Sequence, residues 1–419
     1  MTGTVHEIAA RGFAAAAEAY ERGRPDYPAE GVATIVERLD LRPGRTVLEL
    51  GAGTGKLTRL LVPSGARIVA LEPVAEMRAL LAATAPSAAL VDGAAESIPL
   101  PAASVDAVVV AQAFHWFDTI RALSEIHRVL RPGGRLLLAW NRRDETVLWV
   151  AAAGVLLRDL EAREPRGWRR VVASCALFEP FESTSFRHGQ RLTRDGVLDR
   201  FASISHVAAA DPEVRAAVLA QLAGVLDRDP DTAGREVVEL PYDTELTWAV
   251  RRSIEPGDAG IVATVNANSG GVPKPPIDGT RILSLGLEGD GHHEPEPIHG
   301  GAIAAVSLYA QEAIERVRGD GHAAFPGAYG ENLTLLGIDW AALRAGDRLA
   351  LGDEAAGALI ELTEYAAPCQ TIAHWFDRRR IARISPRVHP ADARWYARVL
   401  REGPVAPGMA VRRIAGAAE

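Results

Sequence analysis

The sequence predicts a doubly wound α/β domain followed by a second, β-rich domain. The chain has 419 residues, more than a single hydrophobic core usually serves, so two domains are expected. Over residues 46–141, short β-branched runs alternate with helical stretches, which is typical of a parallel sheet covered by helices. Beyond residues 251–260, long helices become scarce and short strands alternate with glycine turns. We therefore expect a first domain at 1–250, a linker at 251–259 and a second domain at 260–419.

The elements of the first domain follow from the same patterns. Strands are predicted at 46–50, 67–72, 89–91, 105–111 and 135–140. Helices are predicted at 56–62, 75–85 and 119–130, the last one ending where proline and glycine at 131–134 stop helix growth. Residues 147–230 are rich in arginines, acids and helix formers, and they predict a helical cover or substrate-recognition insert. The following run, VVELPYDTELTWAVRR, predicts a late pair of strands.

Composition and charge limit the classes of partner. The net charge of −8, without a long basic block, argues against nucleic-acid binding. Apolar runs such as residues 105–113 are too short to span a bilayer. The N-terminal residues lack an apolar stretch that ends at a cleavage site. We therefore expect a cytoplasmic protein, without membrane contact, whose partners are small molecules.

The strongest single motif is VLELGAGTGKLT, where a buried strand runs into a glycine-rich turn and then a helix. Glycines let the backbone approach a ligand closely, and a helix N-terminus presents free N–H groups. The dinucleotide-binding pattern requires glycine at position 56, where this chain has Lys56. The phosphate-binding loop pattern requires glycine at position 50 and serine or threonine at position 57, where this chain has Leu50 and Leu57. Both patterns fail. Glu72 ends the next strand, where a carboxylate can accept ribose hydroxyls; the alternative is a solvent-facing acid.

This loop and four further segments resemble class I S-adenosylmethionine (SAM) methyltransferases of the type 11 group. The resemblance extends over about residues 13–250. The further matching segments are YERGRPDYP at 20–28, DGAAESIPLP at 92–101, AQAFHWFD at 111–118 and RVLRPGG at 128–134. The resemblance implies a Rossmann-like domain whose loop holds the methionine part of SAM. It implies a cofactor site made by Tyr20, Glu49, Gly51, Gly53, Gly55, Glu72, Pro73, Ala94, Ala95 and Gln112.

One position departs from that pattern. Many relatives have an aspartate for the adenine amino group where this chain has Ala94. Adenine recognition would then rest on backbone groups near Ala94 and Ala95 and on apolar contact from Pro73.

Methyl transfer is an in-line displacement at a sulfonium, so alignment is the enzyme's main task, and a base is needed only if the acceptor loses a proton. His115 is the candidate base, beside Gln112, Trp116 and Phe117. Aromatic faces can favour the sulfonium charge. The alternative is that Phe114 and its aromatic neighbours belong to the hydrophobic core, and that His115 is a hydrogen-bonded polar residue beside them without a catalytic role.

The chain has two cysteines, Cys175 and Cys369, so a disulfide framework, an iron–sulfur cluster or a four-cysteine zinc site cannot be built within it. Cys369 follows an apolar strand at 358–362 and precedes an aromatic and arginine cluster at 374–380. Nearby cations would favour its thiolate. The alternative is a small buried hydrophobe.

Blocks around Cys369 resemble the MOSC family, named for the C-terminus of molybdenum cofactor sulfurase, over about residues 260–415. The matching segments are SGGVPK at 269–274, GDGH at 289–292, HGGAIAAVSLY at 299–309, PGAYGENLT at 326–334 and PC at 368–369. The resemblance implies a β-rich, barrel-like domain that binds the pyranopterin molybdenum cofactor. It implies that Cys369 ligates molybdenum or bears a persulfide, and a soft thiolate suits that metal.

Lys274, His299, Asn332 and some of the arginines at 378–380 are candidates for holding the phosphate and pterin of this cofactor. The alternative is that they belong to ordinary turns and surface charge. A zinc site at 292–293 is disfavoured because adjacent histidines point apart in an extended chain.

Two hypotheses for the whole protein remain open. In the first, the chain methylates a small acceptor and also carries out molybdenum-dependent reduction of N-hydroxylated compounds or sulfur transfer. In the second, the MOSC part only carries cofactor or sulfur beside a SAM-binding, weakly active or regulatory methyltransferase half. Because the chain cannot hold an iron–sulfur cluster, reduction would require an external electron donor. Sulfur transfer would require an external sulfur donor.

Overall fold

The structure is a computed structural model that describes residues 21, 23–157, 168–291, 300–353 and 355–416. The first part of the chain forms a seven-stranded sheet with the order β3-β2-β1-β4-β5-β7-β6. Its strands are β1 (Thr46–Leu50), β2 (Arg67–Leu71), β3 (Ala89–Val91), β4 (Val105–Ala111), β5 (Leu130–Arg143), β6 (Glu182–Thr193) and β7 (Val237–Val250).

The strands β1 to β5 pair in parallel, and β5–β7 and β7–β6 pair antiparallel. Chain order reverses between β1 and β4, which are neighbours in the sheet. In such a sheet, ligands bind beyond the carboxyl ends of the strands at this reversal point. The topology therefore places the functional cleft at the ends of β1 and β4.

Helices cover this sheet on both faces. They are α1 (Ala29–Arg38), α2 (Thr58–Leu61), α3 (Ala75–Thr84), α4 (Thr119–Val129), α5 (Leu148–Leu157), α6 (Trp168–Ala173), α7 (Arg194–Ala202), α8 (Ser205–Ala208) and α9 (Pro212–Arg228). Helix α1 buries Ile35 against one face of the sheet, and α4 buries Leu123 and Ile126 against the other. The predicted doubly wound fold is confirmed.

The stretch at 147–230 differs from the prediction, because it contains a twelve-residue strand, β6, among its helices. The side chains of β6 are exposed or half-buried throughout and are mostly polar, so no apolar alternation marks this edge strand in the sequence. The predicted late strand pair is a single strand, β7, which pairs with both β5 and β6. The predicted helix at 56–62 is shorter, and a 3-10 turn at Val62–Ser64 follows it.

The later part of the chain is a closed barrel of seven strands in the order β13-β12-β16-β15-β14-β18-β8, with β13 pairing back to β8. A short strand, β9, pairs antiparallel with the end of β8, and a separate small sheet has the order β11-β10-β17. The bounds are β8 (Ala259–Asn266), β9 (Pro276–Ile277), β10 (Thr280–Leu283), β11 (Gly286–Leu287), β12 (Val306–Ala310), β13 (Leu333–Leu336), β14 (Arg348–Leu351), β15 (Ala358–Ala366), β16 (Arg394–Arg401), β17 (Gly403–Val405) and β18 (Ala410–Ile414). The expected β-rich, barrel-like fold is confirmed.

One helix interrupts the strands of the barrel. Helix α10 (Gln311–Gly319) connects β12 to β13, a parallel pair that needs such a crossover. Further short 3-10 turns occupy the segment between β15 and β16, including Gln370–Trp375 and Ile381–Ile384.

The barrel packs directly against the first sheet, and both contribute to one continuous buried core. The backbone N–H of Ala176 donates to the carbonyl oxygen of Ala263 at 2.8 Å. His127 Nδ1 lies 2.5 Å from the carboxylate of Glu315 on α10. Within the described residues, no helix combines the length and hydrophobicity that crossing a bilayer requires.

Candidate functional site

The glycine loop after β1 turns back towards β2 through residues with positive φ. Gly51 has a φ of +66° and donates its N–H to the Leu71 carbonyl oxygen at 2.8 Å. A Cβ at Gly51 would lie 2.7 Å from the Cβ of Ala113, so no larger residue fits there. Gly53, with a φ of +58°, faces open space instead. The loop is therefore tight at its start and open at its centre.

Glu72 at the end of β2 fastens this loop. It is only 6% exposed, and its two carboxylate oxygens accept the backbone N–H groups of Gly53 and Val74, each at 2.9 Å. Burial raises the pKa of Glu72, and the two backbone N–H groups oppose that shift. The structure thus excludes the alternative of a solvent-facing acid. A carboxylate has about four lone-pair sites, so acceptor capacity remains for a ligand.

Glu49, in β1 just before the loop, is a second buried carboxyl group. It is 1% exposed and accepts a hydrogen bond from the Thr58 hydroxyl at 2.7 Å. Burial raises the pKa of Glu49 to about 8, and the charge of Glu72 adds to the effect. At neutral pH the Glu49 side chain is therefore mostly protonated.

A cleft opens beside the loop at the carboxyl ends of β1 and β4. Of the predicted cofactor residues, four line it: Glu49, Gly51, Gly53 and Gln112. Gln112 adopts a φ of +57°, and its Nε2 donates to the Asn141 carbonyl oxygen at 3.3 Å. Strained backbone of this kind concentrates at functional sites. The lining also includes Arg24, Tyr27, Thr54, Lys56, Asn141 and Arg200.

The other predicted SAM-site residues lie outside this lining. A Cβ at Gly55 would lie 2.6 Å from Leu81 of α3, so this glycine serves close packing of the helix. Pro73 is exposed, Ala95 is buried in the core, and the carbonyl oxygen of Ala94 accepts the Ser97 N–H at 3.0 Å. Tyr20 lies outside the described residues.

His115 sits among aromatic rings, with ring centroids 4.7 Å from Trp116 and 5.3 Å from Trp140. Burial lowers the pKa of His115 to about 4, and the charges of Arg24 and His206 add to the effect. Its Nδ1 is buried and has no hydrogen-bond partner in the described part of the chain. His115 is therefore uncharged at neutral pH. It is not one of the residues that line the cleft in the described part of the chain.

The aromatic neighbours of His115 divide between the two interpretations. Phe114 is fully buried, and its ring packs edge-on against Phe117 at 5.7 Å and Trp168 at 5.5 Å. This position is core, as the alternative held. Trp116 and Phe117 are half-buried.

Two residues of the cleft, Arg200 and Asn141, carry no motif that marks them in the sequence. Arg200 lies on α7 in the poorly patterned stretch at 147–230, and Asn141 lies near the end of β5. No local spacing relates either residue to the glycine loop, and only the sheet topology brings them to the cleft.

In the barrel, the structure joins Lys274 and Asn332 through one carboxylate. Lys274 Nζ lies 2.6 Å from Asp290 Oδ2, and Asn332 Nδ2 donates to the same oxygen at 2.8 Å. Lys274 is 5% exposed and Asn332 is 3% exposed. Asn332 Oδ1 also accepts from the backbone N–H and the hydroxyl of Ser307. The two predicted phosphate ligands are therefore engaged within the chain.

Cys369 is half-buried at the start of the 3-10 turn Gln370–Trp375. Burial raises the pKa of the Tyr396 hydroxyl on β16. The arginines at 378–380 are exposed, and Arg378 and Arg379 have φ values of +49° and +57°. Cys175, by contrast, is buried, and burial raises the pKa of its thiol to about 12.

The described residues contain no group of three or more His, Cys, Asp or Glu side chains that could hold a metal ion. The predicted cofactor residue His299 and the histidines at 292–293 lie outside the described residues.

Comparisons with known proteins agree with both folds. A family model described as "Methyltransferase domain" matches residues 48–138, and a "MOSC domain" model matches residues 295–412. An uncharacterized methyltransferase of Mycobacterium tuberculosis is 42% identical over 237 residues, covering 55% of this chain and 92% of the relative. A methyltransferase-like protein of Schizosaccharomyces pombe is 32% identical over 230 residues, covering 54% and 90%.

A solved structure, the YcgJ protein of Bacillus subtilis, is 19% identical with a TM-score of 0.39 and covers 53% of this chain and 98% of its own. The fold, the glycine loop and the sequence relatives define a class I SAM-dependent methyltransferase. The chain belongs to this family through its first part, and it is such a methyltransferase fused to a MOSC domain.

The buried Glu49 carboxyl predicts a pH-dependent stability difference. Because the pKa of Glu49 in the folded protein, about 8, lies above the ordinary glutamate value of 4.5, the folded state holds a proton that the unfolded state releases between these pH values. Glu49 therefore lowers the free energy of unfolding as pH rises through this window, on the order of a few kcal/mol. We expect Glu49→Gln to lose less thermal stability than the wild type between pH 5 and 8.

Thermal unfolding at several pH values measures this difference. Glu37→Gln, an exposed acid on α1, is the matched control and should follow the wild type. Parallel curves for wild type and Glu49→Gln would show that the Glu49 carboxyl is ionised in the folded protein.

Proposed function

We propose that the first part of the chain, residues 1–250, binds SAM at the cleft beside the glycine loop and transfers its methyl group to a small-molecule acceptor. The observation that carries this proposal is the hydrogen bond from Gly53 N–H to the buried Glu72 carboxylate at 2.9 Å. This hydrogen bond fixes the position of the loop at Gly53, which faces open space, and places the Glu72 carboxylate beside the loop. In this proposal, residues 251–259 are the linker and residues 260–419 are the second domain.

The residues present fit SAM. Glu49 offers a carboxyl group for the cationic amino group of the methionine part. Gly51 and Gly53 also line the cleft, and Gly53, which faces open space, leaves room for that part of SAM. The remaining lone pairs of Glu72 suit the ribose hydroxyls. Pro73, Ala94 and Ala95 would contact adenine, and Gln112 would border the transferred methyl group.

In the reaction, an acceptor atom attacks the methyl carbon, and the carbon–sulfur bond breaks with its electron pair staying on sulfur. S-adenosylhomocysteine leaves as a neutral thioether. The cleft aligns the two reactants, which is the main source of acceleration. His115 as the base that takes an acceptor proton stays a prediction; with a pKa of about 4 it is a weak base but is unprotonated at neutral pH.

Glu72→Ala should weaken SAM binding strongly. Each charge-assisted hydrogen bond to a ribose hydroxyl is worth about 1.5–3 kcal/mol, and the loop also loses its tie through Gly53. Isothermal titration calorimetry measures the change in affinity. Asp92→Asn, a nearby acid that pairs with Arg78 at 3.1 Å, is the control for lost charge and should bind SAM nearly as the wild type does. Wild-type affinity in Glu72→Ala would contradict the assignment of this carboxylate.

We further propose that the MOSC domain binds a molybdenum cofactor through Cys369. A half-buried thiol on the barrel supports this, because thiolate is a soft donor. Buried polar atoms without partners in the described chain also support it: Arg394 Nε, on the strand of Tyr396, and Tyr329 Oη. Polar groups buried in this way call for a ligand or water.

Lys274, His299 and Asn332 remain proposed contacts of this cofactor, and Asp290 would have to release the first and last of them. When bound, the cofactor supplies oxygen- or sulfur-transfer chemistry at molybdenum. N-hydroxylated compounds would be the substrates of a reductase, with electrons from another protein. The same thiol would serve sulfur transfer if it carried a persulfide.

Cys369→Ser should abolish molybdenum loading, because a serine hydroxyl has a much higher pKa and does not replace the thiolate. Elemental analysis of protein from a cofactor-competent host measures bound molybdenum, with a host blocked in cofactor synthesis as background. Cys175→Ser is the matched control and should keep wild-type loading, since the Cys175 thiol is buried in the core.

Molybdenum in the wild type and in Cys175→Ser but not in Cys369→Ser supports the proposal. Equal molybdenum in Cys369→Ser would remove this thiol from the site. Molybdenum in none of the samples would leave persulfide transfer as the better interpretation.

A further inference from the structure

Arg200 is a buried cation that has no ion pair with a described acid, and its guanidinium lies over the Tyr242 ring at 5.8 Å from the ring centroid. It lies on α7 and is only 3% exposed. Its Nε donates to the Tyr242 hydroxyl at 2.8 Å, but its Nη1 is buried without a hydrogen-bond partner in the described chain. No ion pair with an acid is found for it among the described residues. Leaving a buried charge without a counter-charge is costly.

This guanidinium belongs to the proposed methyl-transfer cleft. Arg200 lines the same cleft as Gly51, Gly53, Gln112 and Asn141. The cleft therefore contains both the proposed cofactor loop and a buried guanidinium.

The charges around the cleft favour an anion. The acid of the cleft lining is Glu49, whose pKa of about 8 leaves it mostly neutral at pH 7 when no cation is bound beside it. Lys56, also in the lining, pairs with Glu21 at 3.7 Å and Asp26 at 3.4 Å. At the rim, Glu21 and Asp26 are already engaged by Arg59, at 2.6 Å and 2.7 Å. The positive charge of Arg200 is therefore not neutralised from within the cleft.

We propose that the methyl acceptor carries an anionic group, a carboxylate or a phosphate, that binds to the Nη end of Arg200. This inference rests on the proposed function and names the substrate class of the same cleft. A guanidinium presents paired N–H donors that match the oxygens of either group. Bound in this way, the anion supplies the missing counter-charge and fixes the acceptor relative to the cofactor loop.

The test measures binding of anion probes to the protein saturated with S-adenosylhomocysteine. Succinate, inorganic phosphate and the uncharged analogue succinamide are titrated into the wild type by calorimetry. We expect one of the two anions to bind at least tenfold more tightly than succinamide. The tighter anion distinguishes a carboxylate from a phosphate.

Three variants test whether the anion binds at Arg200. Arg200→Gln should lose at least tenfold in anion affinity, and Arg200→Lys should retain part of it because the charge remains. Arg194→Gln, on the same helix but paired with Asp227 at 2.8 Å, is the matched control and should bind as the wild type does. Unchanged affinity for S-adenosylhomocysteine in the variants shows that they fold.

The outcomes separate the two proposals. If the wild type does not bind S-adenosylhomocysteine, the proposed function fails. If it does, but succinate and phosphate bind no better than succinamide or bind Arg200→Gln equally well, the anionic acceptor alone is refuted. If Arg200→Gln does not fold, Arg200→Lys and the succinamide comparison still decide the question.

Discussion

The cofactor end of this protein depends on one carboxylate, that of Glu72, which accepts the N–H groups of Gly53 and Val74. These hydrogen bonds join the turn after β1 to the end of β2, so that the glycine loop and the buried Glu72 carboxylate form one unit. A carboxylate buried at this point would be costly without such donors. The position of the loop at Gly53 depends on this arrangement.

The parallel core was predictable because each of its signals is local. Strands β1 and β4 are short, mostly apolar runs, and the glycines that follow β1 are required by positive φ or by contacts such as that of Gly51 with Ala113. The edge strand β6 was missed because both of its faces are polar or half-exposed, so apolar alternation does not mark it. Strand signals weaken wherever a strand buries neither face.

Long-range electrostatics were not predictable from spacing. Asp290 neutralises Lys274 and also holds Asn332, so two residues expected to face a phosphate are tied to one carboxylate. Arg200 shows the opposite case: it is a buried guanidinium without a described acid, on a helix whose sequence does not distinguish it from its neighbours. The partner of a buried charge is set by tertiary packing, which local sequence patterns do not encode.

Proton release on SAM binding tests the central claim most directly. At pH 6.5 Glu49 is almost fully protonated, since its pKa is about 8, and the cationic amino group of SAM would favour its carboxylate. Calorimetry in buffers of different ionisation enthalpy should show release approaching one proton per SAM bound by the wild type, and about none for Glu49→Gln. Binding without proton release in the wild type, or no binding at all, would contradict a SAM site built on Glu49 and the glycine loop.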